Sequence, residues 1–463
     1  MTIWYNLRKR FTAPSLPKPT ETYDQRYFDA LVNVLRLYFN QLDDLLGRIV
    51  ATTSTAVPVS IGGTNVDAFG RLRVSQPYTL FDSQNRYAAD NQFDVTTTGT
   101  GASASFLPNE AAVKMEVTAA SAGSVVRQSY RSFPYQPGKG LLLLATFVMD
   151  GSASTSLTQR VGYFNTQNGV FFQRVDGVYS FVLRSSSLPT PGTPNDDRSV
   201  PQSSWNGDKL DGTGLSGYTL DPSKAQILWI DFEWLGVGSV RCGFIINGEY
   251  IVCHTFNNAN EITAVYMTTA ILPVRYEITS SAALAASMKA ICASVVSEGG
   301  YEQYSSSHVA RRTSALTNID TTATFFPIVS IRLASGRTGA VIIPQRVQFL
   351  PLTSQNYEVV LLKDPTLTGA TFAATVPSDS NVEFDVAATA ISSVGTIVQT
   401  DYVSSSGSGG TNPLVDPAGY NWDLQIGAKL SGASEIYTLA VRTVDGATKG
   451  SGVGSLSFWD LTQ

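Results

Sequence analysis

The chain has little with which to bind a metal ion or run redox chemistry. Two histidines in 463 residues exclude a histidine-rich metal site. The three cysteines, Cys242, Cys253 and Cys292, include no Cys-x-x-Cys pair of the kind a thiolate zinc site uses. Charge is scarce too: Asp, Glu, Lys and Arg make up 15% of the residues, against about 25% in an average soluble protein. The net charge of −5 argues against a general binder of nucleic acid or anionic membrane. No apolar run approaches the roughly 18 residues of a membrane-crossing helix. The basic N-terminus, MTIWYNLRKRF, is followed by no apolar core, so it does not read as a secretory signal. Walker A, Gly-x-Ser-x-Gly, His-Glu-x-x-His and dinucleotide fingerprints are absent from the sequence.

What is present starts with an extended leader. Pro14, Pro17 and Pro19 forbid a helix there, and Trp4, Tyr5 and Phe11 beside Arg8, Lys9 and Arg10 form an aromatic-cationic strip suited to docking on another protein. Thr20 or Thr22 is placed to cap a helix, with Asp24 in its first turn. Over residues 22–49, Tyr27, Leu31, Val34, Tyr38, Leu42, Leu45 and Ile49 recur at three- and four-residue steps. Phe28, Leu35, Phe39 and Leu46 add a second stripe, which makes the apolar face broader than one partner surface needs. Such a helix has two ways to bury itself: against the rest of the chain, or in a short parallel bundle with copies of itself. Ala51–Gly63, small and β-branched with Pro58 and a Gly pair, reads as a linker.

Val66–Tyr87, VDAFGRLRVSQPYTLFDSQNRY, leads into the remainder. Asp67-Ala68-Phe69-Gly70 reads as a turn, Leu72 and Val74 alternate with Arg71 and Arg73 as in a half-buried strand, and Pro77 ends it. The DAFGRLRVS-x-P-x-TLFDSQ run resembles a segment near the start of virion structural proteins of tailed bacteriophages. The order of leader, helix, linker and β domain is similar to the anchoring end of phage fibre and appendage proteins. These resemblances imply a projecting, three-fold virion component. They also imply assembly in a reducing cytoplasm, which favours free thiols over a Cys242–Cys253 disulfide on neighbouring strands.

From about residue 64 the sequence is almost all strand and turn. Strands are expected at Ala112–Val117, Ser124–Tyr130, Leu141–Met149, Gln159–Phe164, Val170–Arg174, Tyr179–Arg184, Ile227–Leu235, Val240–Ile246, Tyr250–Thr255 and Val274–Ile278. Asp176-Gly177 and Asn247-Gly248 are hairpin turns. The near-continuous apolar runs at 140–149 and 225–234 read as strands covered on both faces. Ala282–Val295 reads as a short helix or a buried strand. So many short strands point to an antiparallel sandwich or jelly roll, and the stretch from Trp229 through GSVRCGFIINGEYIVCHTF is similar in pattern to a concanavalin-like lectin sandwich. Residues 301–324 are polar and read as a connector. Residues 325–463 read as a smaller sandwich, with strands from FFPIVSIRLA, 341–350, 357–362, 382–386, 423–430, 437–442 and 456–461.

Candidate sites are few. In Trp229-Ile230-Asp231-Phe232-Glu233-Trp234, alternation puts Asp231 and Glu233 on one strand face with Trp229. Two carboxylates beside an indole suit a retaining glycosidase, but the E-x-D-x-x-E spacing of jelly-roll glucanases is missing, so an acidic strand face is the plainer reading. Asn195-Asp196-Asp197 and Asp208 to Asp211 could gather calcium ligands, yet lack EF-hand alternation and read as solvated loop. His254 reads as a satisfied, partly buried histidine. Trp205 and Tyr218, with Tyr301 and Tyr304, are the candidate glycan contacts.

The sequence therefore predicts a mainly β protein. A leader, a single helix (22–49) and a linker fill 1–63; a large antiparallel, lectin-like sandwich or jelly roll spans 64–300; a connector covers 301–324; and a smaller β-sandwich covers 325–463. The expected role is that of a non-enzymatic phage structural protein on the particle surface, a fibre or appendage component anchored by its N-terminal segment. Expected partners are other virion proteins, itself as a homotrimer, and a host-surface glycan, without nucleic acid, cofactor, metal or membrane span. A capsid decoration or head-fibre protein without a receptor role, and a glycan-cleaving tail spike, are the alternatives.

Overall fold

Alternation of apolar and polar residues builds most of this molecule, and two-residue turns set its registers. A computed structural model describes residues 16–17, 24–54, 76–150, 155–187, 196–302, 304–320, 325–372, 374–375, 380–404, 411–413, 422–444, 446 and 448–462. The chain divides into two units, Met1–Val74 and Ser75–Gln463.

The first unit contains the helix α1, Gln25–Ser54. Its N-cap is Asp24, whose carboxylate accepts the Arg26 N–H at 2.9 Å and so satisfies an orphan donor of the first turn; Thr20 and Thr22 lie outside the described residues. The helix also runs through Gly47 and into the segment read as linker, ending at Ser54. Tyr27, Leu31, Val34, Leu35 and Tyr38 are half-buried, while Phe28, Val32, Leu37 and Phe39 are exposed at 44 to 63%. Trp4, Tyr5 and the 66–75 turn and strand lie outside the described residues, as do the side chains of Leu42, Leu45 and Ile49. No helix among the described residues is long and apolar enough to cross a membrane.

The second unit opens with two stacked antiparallel sheets. In the eight-stranded sheet the order is Glu249–Phe256, Val240–Ile246, Gln226–Phe232, Leu141–Met149, Ala286–Ser297, Ala112–Val117 and Ser103–Leu107, with Tyr78–Gln84 also paired to Ala286–Ser297. In the seven-stranded sheet it is Asp196–Pro201, Val178–Ser185, Gly169–Val175, Leu157–Phe164, Val274–Ser280, Gly123–Ser129 and Phe93–Thr98. Inward residues of both sheets share one core, where Phe172 meets Phe147 and Phe244 with centroids 5.9 and 5.1 Å apart. Asn247 (φ 53°) with Gly248 (φ 84°), and Asp176 (φ 50°) with Gly177 (φ 86°), make the left-handed pairs that a tight hairpin requires.

All ten strands expected here are present. The run at 141–149 is buried on one face and half-buried on the other, so its unbroken hydrophobicity overstates its cover. Residues 286–297 form a twelve-residue strand at the middle of the sheet.

A second sandwich follows. Its five-stranded sheet holds Ser306–Arg311, Gly450–Asp460, Ile342–Pro351 and Thr411–Pro413 in order, with Leu316–Ile319 also on Gly450–Asp460. Its six-stranded sheet runs Ala374–Thr375, Val382–Asp385, Phe326–Leu333, Ile436–Thr443, Asn356–Lys363 and Thr396–Ser404. The segment read as a connector thus supplies two strands to this sandwich. The strand expected at 423–430 does not form. Leu424 to Ala428 are buried without a break, Gln425 and Gly427 included, and their N–H groups are directed off any ladder: Ile426 donates to Ile342 O at 2.9 Å, and Ala428 to Tyr130 O at 2.8 Å. The Ala428 bond joins the two sandwiches, aided by Gln425 donating to Ser132 O and the Leu430 N–H to Asp94, at 2.8 and 2.7 Å.

Candidate functional site

The acidic strand singled out in the sequence lies in the eight-stranded sheet, and it ends one residue before Glu233. Leu228, Ile230 and Phe232 face the core; Trp229 and Asp231 face outward. Glu233 is exposed beyond the strand end, so Asp231 and Glu233 do not form a pair on one ladder. Trp229 is buried on the outer face, donating to Ile251 O at 3.3 Å and meeting Tyr250 edge-on. It lies over Gly243, where a Cβ would sit 2.9 Å from its Nε1.

Asp231 has other company. Arg241 on the adjacent strand is paired with its carboxylate, and Glu298, just past the end of the Ala286–Ser297 strand, approaches from the other side of Gly140. A Cβ on Gly140 would meet Glu298 Oε2 at 3.0 Å and Asp231 Oδ1 at 3.8 Å. Burial, then the Asp231 charge, raises the Glu298 carboxyl above its ordinary value, against the pull of Arg241. One carboxylate held beside a guanidinium and a second one raised make a chemically differentiated pair. Sequence spacing gave no sign of Glu298, because only the sheet brings it near Asp231.

Trp205 is not a surface aromatic. It is 2% exposed, stacks on Phe181 at 4.7 Å and donates to Val200 O at 3.1 Å. Its loop is polar, but the indole fills the core behind it and leaves no face for a sugar. Tyr218 is half-buried with its hydroxyl accepting from Asn247 at 2.8 Å. Asp208 accepts the N–H groups of Leu210 and Ser216 at 2.9 and 2.7 Å, and Asp211 accepts the N–H of Thr213 at 2.9 Å. These oxygens fold the loop. Asp197 forms a two-pronged pair with Arg184, at 2.9 Å for each bond. Among the described residues, no group of three or more His, Cys, Asp or Glu is placed to hold a metal ion.

His254 is buried, accepts the Asn206 N–H on Nδ1 at 3.3 Å and meets Phe256 edge-on. Burial, then Arg198, lowers its pKa. Cys242 and Cys253 are free thiols in the core, and burial raises both, Cys253 to about 12; Cys292 is free and exposed. Tyr301 packs against both cores, while Tyr304 is 75% exposed.

No family model matches the chain, and no curated protein matches it. Among solved structures it is similar to the carbohydrate recognition domain of Emp47p, at 12% identity over 52% of this chain and 99% of that one, with a TM-score of 0.29. It is similar also to a legume lectin-like domain from Entamoeba histolytica, at 10% identity over 48% and 97%, TM-score 0.30. A beta-1,3-glucanase from Mycobacterium marinum matches at 11% identity over 47% and 98%, TM-score 0.29.

Proposed function

We propose that this chain is a non-enzymatic structural component of a tailed-bacteriophage particle, held by its N-terminal unit and presenting a stiff β unit outward. The observation that carries this reading is helix α1. Phe28, Val32, Leu37 and Phe39 are exposed on a helix of 30 residues, in a unit separate from the β body. Exposed apolar surface of that kind marks a site of association. The phage-like run at 66–87 supports the same setting, and self-association of α1 as a trimer completes it. Imaging of purified particles with a gold-labelled C-terminal tag tests the reading: label on the particle surface is expected, and absence of the chain from purified particles overturns it.

A second reading, a glycan-cleaving spike, draws on the Asp231–Glu298 pair. A carboxylate held beside a guanidinium, with a second one raised, is the kind of differentiated pair that acid-assisted glycoside cleavage uses. Release of reducing ends from host polysaccharide by the wild type, lost in both Asp231→Asn and Glu298→Gln, would replace the structural reading with this one.

A further inference from the structure

Where the two sandwiches meet, two polar clefts of about 340 and 350 Å³ share Gln92, Arg131 and Asp423 and form one groove. Arg131 crosses it, 9% exposed, donating to Trp422 O and to Gln92 Oε1, with Asp423 3.9 Å away at the rim. Trp422 stands at one end, where its Nε1 donates to Tyr78 and Tyr301 packs edge-on against its ring. At the other end Lys363 pairs with Glu435 at 2.7 Å.

Beneath this second end lies an oddity. Tyr437 is 0% exposed, and its hydroxyl is buried with no hydrogen-bond partner. Its ring lies 6.0 Å from the Lys363 ammonium that lines the groove. Burial, then Glu435 and Asp364, raise this hydroxyl, and Arg131 and Asp423 also act on it, so it sits among the lining charges. A buried hydroxyl left unpaired is costly; this one belongs to the core behind the groove and lines neither cleft.

We propose that this groove binds a neutral carbohydrate, one or two sugar rings long. Its volume is that of a small-molecule site. Its charged lining, Arg131 and Lys363 against Asp82, Asp423 and Glu435, carries no excess of positive charge to hold a phosphate or sulfate. Planar amide, carboxylate and guanidinium groups supply the donors and acceptors that a ring of hydroxyls requires, and the Trp422 indole offers an apolar flank for the C–H face of a sugar. The groove's lining includes neither Asp231 nor Glu298, and the proposal holds wherever the chain resides.

The test uses the full chain, with maltose, cellobiose, lactose and chitobiose as probes in saturation-transfer NMR followed by calorimetry, and inorganic phosphate as competitor. Binding of at least one disaccharide is expected, with phosphate without effect. Asp423→Ala, at the exposed rim, should weaken it about tenfold without touching the core, and Tyr437→Phe, behind the lining, should leave it unchanged. The proposal is overturned if none of the four binds, if phosphate displaces them, or if affinity survives Asp423→Ala.

Discussion

The indole N–H of Trp422 donates to the hydroxyl of Tyr78 across 2.9 Å, although 344 positions separate them. Tyr301 lies beside both rings, 5.2 Å from Trp422 and 5.9 Å from Tyr78. The first strand of the β unit, the end of the large sandwich and the turn at 422–424 therefore meet at one point. Tyr78 opens the strand Tyr78–Gln84, so it has a structural role: it seats that strand and ties it to the second sandwich.

Gly427 should tolerate no side chain. A Cβ there would lie 2.7 Å from Tyr130 Cβ and 2.9 Å from Tyr130 O, at the seam between the sandwiches. Gly427→Ala is expected to cost about 1 to 3 kcal/mol, the usual cost of overpacking. Urea titration should show a lower midpoint, and an unchanged midpoint would mean the seam opens freely.

Two truncations should behave differently. A fragment of 305–463 retains Ser306–Arg311 and Leu316–Ile319 against the Gly450–Asp460 strand and should melt cooperatively with a β-type signal. A fragment of 325–463 bares that strand's edge, which invites aggregation. If the longer fragment is molten by near-UV dichroism, the two sandwiches depend on each other for folding.

Replacing Leu31 and Leu35 on α1 by Asp should abolish self-association and leave the β unit folded. Each buried apolar side chain contributes roughly 1.5 to 3 kcal/mol to such an interface. Light scattering of wild type and variant decides it: a trimer that becomes a monomer is expected, and a monomeric wild type excludes the helical bundle.

His254 predicts acid sensitivity. Its folded pKa lies below the ordinary 6.5, so the unfolded chain binds the proton first. Stability from this group is present above about 6.5 and is lost as pH falls through that value towards the lowered folded pKa. Denaturant midpoints at pH 7.5 and 5.5 should differ for the wild type, and the difference should shrink in His254→Gln. An equal difference in both assigns the acid loss to other groups.

Much of the architecture was legible from apolar runs and turn residues: Leu141–Met149 falls on a near-continuous apolar run, and Val240–Ile246 ends where Asn247-Gly248 turns the chain. Strands without that signal were hidden. Asp196–Pro201 carries two acids and a proline, which an edge strand accommodates and a pattern does not announce. At 423–430 the apolar pattern announced buried residues, but the burial is unbroken over 424–428 and the backbone bonds go to other segments instead of a ladder. Trp205 misled because a polar loop surrounds it in sequence while its indole enters the core. Glu298 was invisible as a partner of Asp231, since strand order, unlike spacing, decides which distant residues become neighbours.

The opening strand also settles how the β unit bears load. Tension on the chain ahead of Pro77 enters at Tyr78, whose strand is laced to Ala286–Ser297 by pairs from Tyr78↔Ser297 to Gln84↔Cys292. Pulled along its length, such a strand resists in shear, with its rungs strained together, where a strand peeled from its end gives way rung by rung. The Trp422 indole adds a cross-tie at the very point of entry.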